Sequence, residues 1–383
     1  MKTEKIIKNL ISCILMFGIL LTTAINSAAS EEIHDYQHDA ELLRIVNLVN
    51  ASSENDTHYE CGSEYLINSC ITNEPQYIYI ELLPTGYAIT TLNYVVIEIV
   101  FDDSPIQTYT DCFDEQVYYA GPSRFVVKKD NQLIDIRDGS VVISSDIERL
   151  KAFEDSIYSK KSMISDLRDK ETQSKKIKNA GITNVNVAYS YFSNLNDYGT
   201  NEGSTCTVVA ASMLLGYYRH NVNTNYIASQ YVTQASTTSS AGTTESFYQL
   251  LCDYVYGEQT HNAIYIRDAE SGINDYLDTR NVNTDFYHTT GVSATKSKLI
   301  NLINNGKPAI AAISTSHGAT INHSVIAYGY MYTENNVINS VNNVDALYDI
   351  GLYYFRVNYG WHLSSYNNVL LISDWFYECG YVE

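Results

Sequence analysis

Three places in the chain hold residue types from which a nucleophile, a base and an orienting group could be drawn. The first is Gly203-Ser204-Thr205-Cys206, where a small polar loop runs into the apolar stretch beginning Val208-Val209-Ala210. The spacing predicts a helix from Cys206 to His220, with Val209, Met213 and Tyr217 on one face and the cysteine as its first residue. A thiol there feels the positive end of the helix dipole and unpaired N–H groups, and both favour the nucleophilic thiolate. The Cys206 N–H could also help to bind an oxyanion. The second is His323, at the head of the apolar run Ser324-Val325-Ile326-Ala327-Tyr328, which reads as a strand to Tyr332. A histidine so fixed can serve as a general base. His317 competes for that role from the loop Ser316-His317-Gly318-Ala319. The third is Val357-Asn358-Tyr359-Gly360-Trp361. An asparagine oxygen can accept from the second ring nitrogen of a histidine and set its tautomer, and a tryptophan three residues on could shield that bond.

Each has a plainer reading: a buried thiol, a structural histidine, a polar turn with a packing tryptophan. Their occurrence together, in the order Cys, His, Asn, is a stronger signal than any one. Residues from about 190 to 383 resemble the papain-like clan of cysteine peptidases, and within it the streptopain-like secreted bacterial branch and related peptidases of Gram-positive bacteria. The resemblance rests on the Cys206 loop and helix, on His323-Ser324-Val325 leading to Gly329-Tyr330, and on the Asn358-Tyr359-Gly360-Trp361 stretch. It implies Cys206 as nucleophile, His323 as base and Asn358 as orienter. It also implies an α+β catalytic domain, a helical part followed by an antiparallel β part, preceded by a β-rich pro-domain. The chain departs from the pattern in three places. Thr200 stands where the family has an oxyanion-binding glutamine, so Asn201 becomes the nearest amide donor and Asn196 a weaker one. Thr207 follows the cysteine where small residues are usual, and His362-Leu363 follow Trp361 where glycines are common.

The elements that must position these residues divide the chain. Lys2, Lys5 and Lys8, the apolar run Leu10–Ala24 and the small residues Ser27, Ala28 and Ala29 form a secretory signal over 1–29. That run is short of the roughly 20 residues a membrane span needs, so a secreted protein without stable membrane insertion is expected. Residues 30–180 read as the β-rich pro-domain, with strands over 76–83, 87–92, 94–101, 132–136 and 140–143 and a turn at Pro84-Thr85-Gly86. It shows no catalytic constellation. Ile147, Leu150, Phe153 and Ile157 recur at helical spacing, and the polar run 170–178 reads either as a linker or as a cleavage site near Lys175–Lys178. By the resemblance, residues 30–180 would be the enzyme's own inhibitor. Residues 181–383 form the catalytic domain, with further helices over 245–256 and 297–305 and strands over 309–314 and 353–359.

Charge and cysteine content narrow the function. Removing three lysines and one glutamate with the signal leaves 21 basic against 43 acidic residues, a net charge of −22. Such a surface disfavours nucleic acid and anionic membranes. Six cysteines remain in a long mature chain, too sparse for a disulfide scaffold, although Cys61 and Cys70 could pair locally. There is no CxxC and no zinc-like histidine spacing, so neither metal nor cofactor is expected. The expected partners are protein or peptide substrates. Two alternatives remain from the sequence: a cell-wall amidase or acyl transferase using the same three residues, and a catalytically inactive papain-like binding module.

Overall fold

The computed structural model describes residues 38–39, 41–53, 57–92, 94–101, 117–130, 132–136, 139, 141, 151, 182–187, 189–193, 195, 205–234, 241–257, 264–313, 323–333, 336–339, 346–349, 352–360 and 367–383. The signal segment, the basic run 170–178, Cys112, His317, Asn196, Asn201 and Trp361 lie outside them. Residues 1–50 and 51–383 are two compact units. In the first, 41–50 are helical.

The second unit begins with strands rich in β-branched and aromatic residues: β1 (Glu60–Ser69), β2 (Pro75–Leu83), β3 (Tyr87–Thr91), β4 (Val96–Val100), β5 (Val117–Tyr119), β6 (Phe125–Lys129) and β7 (Gln132–Asp135). Tyr79 stacks on Tyr87 at 5.1 Å between centroids, and Phe125 meets both rings edge-on. Gly86 (φ +111°) makes the β2–β3 turn, where a Cβ would lie 2.5 Å from the Val100 carbonyl oxygen. Of the run 140–143 only Val141 lies among the described residues, and it bridges to Ile134. Cys61 and Cys70 sit at the two ends of β1. Nine residues at ~3.3 Å each part them by about 30 Å, well beyond the ~7 Å limit for a disulfide, so the suggested local pair does not form.

After β8 (Ile182–Asn186) come four helices that matter to the site: a single turn α1 (Tyr189–Phe192), α2 (Cys206–Asn221), α3 (Glu245–Tyr256) and α4 (Ile266–Thr279). The short strands β9 (Val232–Gln234) and β10 (Ala241–Thr243) pair between α2 and α3. Then follow β11 (Phe286–Thr290), α5 (Val292–Asn304), β12 (Ala309–Ile313), β13 (His323–Thr333), the pair β14 (Asn336–Asn339) and β15 (Ala346–Asp349), β16 (Leu352–Asn358), β17 (Val369–Ile372) and β18 (Phe376–Val382).

Among the described residues, fourteen strands form one sheet in the order β11-β18-β12-β13-β16-β17-β4-β3-β2-β1-β5-β6-β7, with β8 on β13. β13 is the organising strand. One edge pairs with β12 through residues 323–327 and with β8 through 329–333, and the other pairs with β16. The β-rich half and the C-terminal half thus share a sheet across an antiparallel seam, Val369 opposite Val100, Leu370 opposite Ile99 and Leu371 opposite Glu98. Polar bonds reinforce it. Tyr354 donates its hydroxyl to the Val96 carbonyl at 3.2 Å. The fully buried Arg356 reaches Asn186 Oδ1 at 2.8 Å and also bonds Asn368 Oδ1 and the Ser52 carbonyl.

Candidate active site

The site is built where α2 meets the head of β13. The helix is expected to present one apolar face; instead every residue from Cys206 to Tyr218 is buried. It packs against β12, β13, α3, α4 and β10, so this stretch leaves no face to water, and its small residues Ala210, Ala211, Ser212 and Gly216 permit the close approach. At its N-terminus Thr205 accepts the N–H groups of Val208 and Val209 through its carbonyl. Its hydroxyl does not cap the helix but pairs with the Tyr248 hydroxyl of α3. Of the first-turn N–H groups, those of Cys206 and Thr207 therefore remain for other partners.

Cys206 is 8% exposed. Burial pushes its thiol above the ordinary value, while the nearby N–H and hydroxyl groups of Ser324 and Thr207 pull it back. The first of these effects is the larger, so the dipole argument alone does not leave a thiolate at rest. Thr207 Oγ1 donates to the Ile264 carbonyl at 2.8 Å and lies 2.9 Å from Ser324 Oγ. Ser324, the residue after His323, thus joins β13 to the first turn of α2.

His323 is half-buried at the first position of β13. Its Nε2 lies 2.7 Å from the Tyr359 carbonyl oxygen, and its ring stacks on the Tyr359 ring at 5.4 Å and 22°. A carbonyl only accepts, so Nε2 carries the hydrogen, and the lone pair of the neutral imidazole is on Nδ1.

Asn358, the last residue of β16, is fully buried. Its amide nitrogen donates to the Phe192 carbonyl at 2.6 Å and to the Leu195 carbonyl at 3.4 Å. Its Oδ1 accepts the Gly360 N–H at 2.7 Å. The expected acceptance from the histidine ring by Asn358 Oδ1 is replaced by a two-step arrangement. Asn358 closes a tight turn through Gly360, at φ +64°, and that turn delivers the Tyr359 carbonyl to His323.

Sequence reasoning names Cys206, His323 and Asn358, and the fold sets them at the start of α2, the start of β13 and the end of β16. It misses Ser324, Thr207 and the Tyr359 carbonyl. A hydroxyl beside each of two candidate catalytic residues was the available signal for the first two; a main-chain acceptor leaves none. Among the described residues no group of three or more His, Cys, Asp or Glu side chains could hold a metal, and no helix is long and apolar enough to cross a membrane.

Residues 186–346 match the model of the Peptidase_C39-like family. The matched stretch includes Cys206 and His323 and ends before Asn358. Comparison with curated proteins gave no match. Among solved structures, a fragment of prointerpain A from Prevotella intermedia aligns over 84% of this chain and 98% of its own, at 10% identity and a TM-score of 0.40.

Proposed function

We propose that the chain is a secreted cysteine endopeptidase that uses Cys206, His323 and Asn358. The observation that carries this reading is the Nε2–H tautomer of His323, held by the Tyr359 carbonyl, at the head of the strand whose next residue, Ser324, is hydrogen-bonded to Thr207, the neighbour of Cys206. The match of residues 186–346 to a peptidase family model supports it.

In this mechanism Cys206 Sγ attacks the scissile carbonyl carbon while its proton passes to His323 Nδ1, the basic nitrogen of the tautomer. A base is required because burial holds the thiol protonated. The Cys206 N–H, with Asn201 as a side-chain partner, takes the developing oxyanion. Collapse breaks the C–N bond, and the amine leaves with the proton from His323. Water, deprotonated by His323, then attacks the thioester, and its breakdown returns the thiol and releases the acid. Asn358 acts by fixing the Tyr359 carbonyl. Residues 30–180 serve as the pro-region, cut near Lys175–Lys178.

The test is hydrolysis of denatured casein, with reducing agent present, by residues 30–383 as wild type, Cys206→Ala and His323→Ala. Cleavage by wild type alone is expected. Digestion of peptidoglycan but not casein would move the activity to a cell-wall amidase, and equal behaviour of all three would leave a binding module.

A further inference from the structure

Between Ala327 and Gly329, β13 carries one residue more than β16. Ala327 stands opposite Val357 and Gly329 opposite Arg356, so Tyr328 is the extra residue of a bulge. The other edge of β13 changes partner at the same place, from β12, which reaches Ala327, to β8, which begins at Gly329. The Tyr328 carbonyl accepts the Val187 N–H at 2.7 Å, just beyond β8. A bulged residue leaves the in-and-out alternation of its strand, and its side chain is re-aimed.

The Tyr328 side chain is aimed at the end of the β16–β17 hairpin. It is fully buried, and its hydroxyl donates to the Asn367 carbonyl at 2.8 Å. In the hairpin Tyr354 stands opposite Ile372 and Val357 opposite Val369. That register, carried on past Asn358, brings Asn367 level with Tyr359, whose carbonyl accepts from His323. The Tyr328 ring stacks on Phe192 at 5.4 Å and 26°, and Phe192 gives its carbonyl to the Asn358 amide. One side chain therefore holds both arms of the hairpin end: the arm opposite Tyr359 through Asn367, and the arm of Tyr359 itself through the α1 residue that anchors Asn358. Buried from water, the hydroxyl bond and the ring contact are each worth more than at the surface.

We propose that Tyr328 is a positioning residue for the base: from the histidine's own strand, its hydroxyl holds the hairpin end so that the Tyr359 carbonyl stays at His323 Nε2. This rests on the reading of His323 as general base. It makes the base and its acceptor a single unit, joined through the bulge five residues along β13 from the histidine.

The experiment labels the histidine ring nitrogens of residues 30–383 and reads those of His323 by NMR at a pH where the imidazole is neutral, with His323→Gln identifying the signals. Wild type is expected to carry the hydrogen on Nε2. In Tyr328→Phe, which keeps the ring and loses the bond to Asn367, the ratio of the Nε2–H to the Nδ1–H form should fall about fivefold, the worth of one net hydrogen bond. Peptide hydrolysis should lose about fivefold in kcat with KM changed less than about twofold. Tyr330→Phe is the control. Its hydroxyl, on the same strand, bonds Asn304 Oδ1 of α5 at 3.0 Å, so this variant loses a comparable bond and should leave the ratio unmoved. An unmoved ratio in Tyr328→Phe overturns the proposal, and so does an equal fall in both variants, which is what general loosening of β13 would give. A wild type without preference for Nε2–H overturns it together with the assignment of His323 as base. A wild type that hydrolyses no peptide but gives the expected ratios removes the peptidase reading and leaves the positioning role standing.

Discussion

Replacing Asn358 with aspartate distinguishes the two ways in which this side chain could serve the histidine. If Asn358 touched the imidazole directly, a carboxylate would accept from it at least as well and would favour the imidazolium. In the structure the amide nitrogen donates to the Phe192 and Leu195 carbonyls, and Oδ1 takes the Gly360 N–H. Aspartate keeps the last bond and turns an oxygen onto two carbonyl oxygens. An unsatisfied buried group costs about 1–3 kcal/mol. The bond at 2.6 Å carries most of this and the one at 3.4 Å little, so a loss of about 1–3 kcal/mol is expected once the carboxyl is ionised. The sign with pH follows. A carboxyl facing carbonyls without water has its folded pKa raised above the unfolded value, so at low pH the protonated carboxyl of the variant can still donate to the Phe192 carbonyl. Stability is then near wild type at the acid end and falls as pH rises through the raised value. The assay is guanidinium denaturation of Asn358→Asp and wild type at several pH values, with the histidine titration followed by NMR. An aspartate variant as stable as wild type at neutral pH, with its histidine pKa raised, would refute the turn-building role.

Three further outcomes follow from the fold. Cutting the chain at a protease site inserted after Lys178 should leave the N-terminal piece attached, because β4 pairs with β17 and Arg356 bonds the Ser52 carbonyl; two separate species on size exclusion without denaturant would contradict the shared sheet. Burial raises the Glu98 carboxyl despite bonds from Tyr87, Tyr119 and Ser123, so its contribution to stability is fullest below the ordinary carboxylate value of about 4.3 and shrinks as pH rises through the raised one. Wild type should lose stability relative to Glu98→Gln across that window, and a gap between them independent of pH would contradict it. In α4, a Cβ on Gly272 would lie 2.4 Å from the Tyr254 carbonyl oxygen, so Gly272→Ala should cost about 1–3 kcal/mol, and an unchanged melting temperature would show that α3 and α4 can part.

How far the chain could be read depended on whether a feature is local. The helix from Cys206, the strand from His323 and the strand ending at Asn358 are legible because loop residues and apolar runs mark their ends. So are β2, β3 and β4. The helix α4 was missed although Ile266, Ala269, Ile273 and Leu277 keep helical spacing, because acidic residues fill its exposed face. The strand β18 was hidden by Glu378, which is buried because it accepts the Ile266 and Arg267 N–H groups at the start of α4. Pairing of β4 with β17 joins residues more than 250 apart, and no periodicity encodes it. The site was legible as residue types and not as contacts. Asparagine at a strand end before Tyr-Gly reads as an orienter, but which of its atoms meets which partner depends on the α1 carbonyls and on the turn at Gly360.

The central claim, that Cys206 is the nucleophile of a peptidase, is tested most directly by treating residues 30–383 with a peptidyl chloromethyl ketone and mapping the adduct by mass spectrometry. A single adduct on Cys206 is expected, blocked by excess peptide substrate and strongly slowed in His323→Ala. An adduct on Cys252 or Cys379 in place of Cys206, or labelling of Cys206 that neither substrate nor His323→Ala affects, would contradict it.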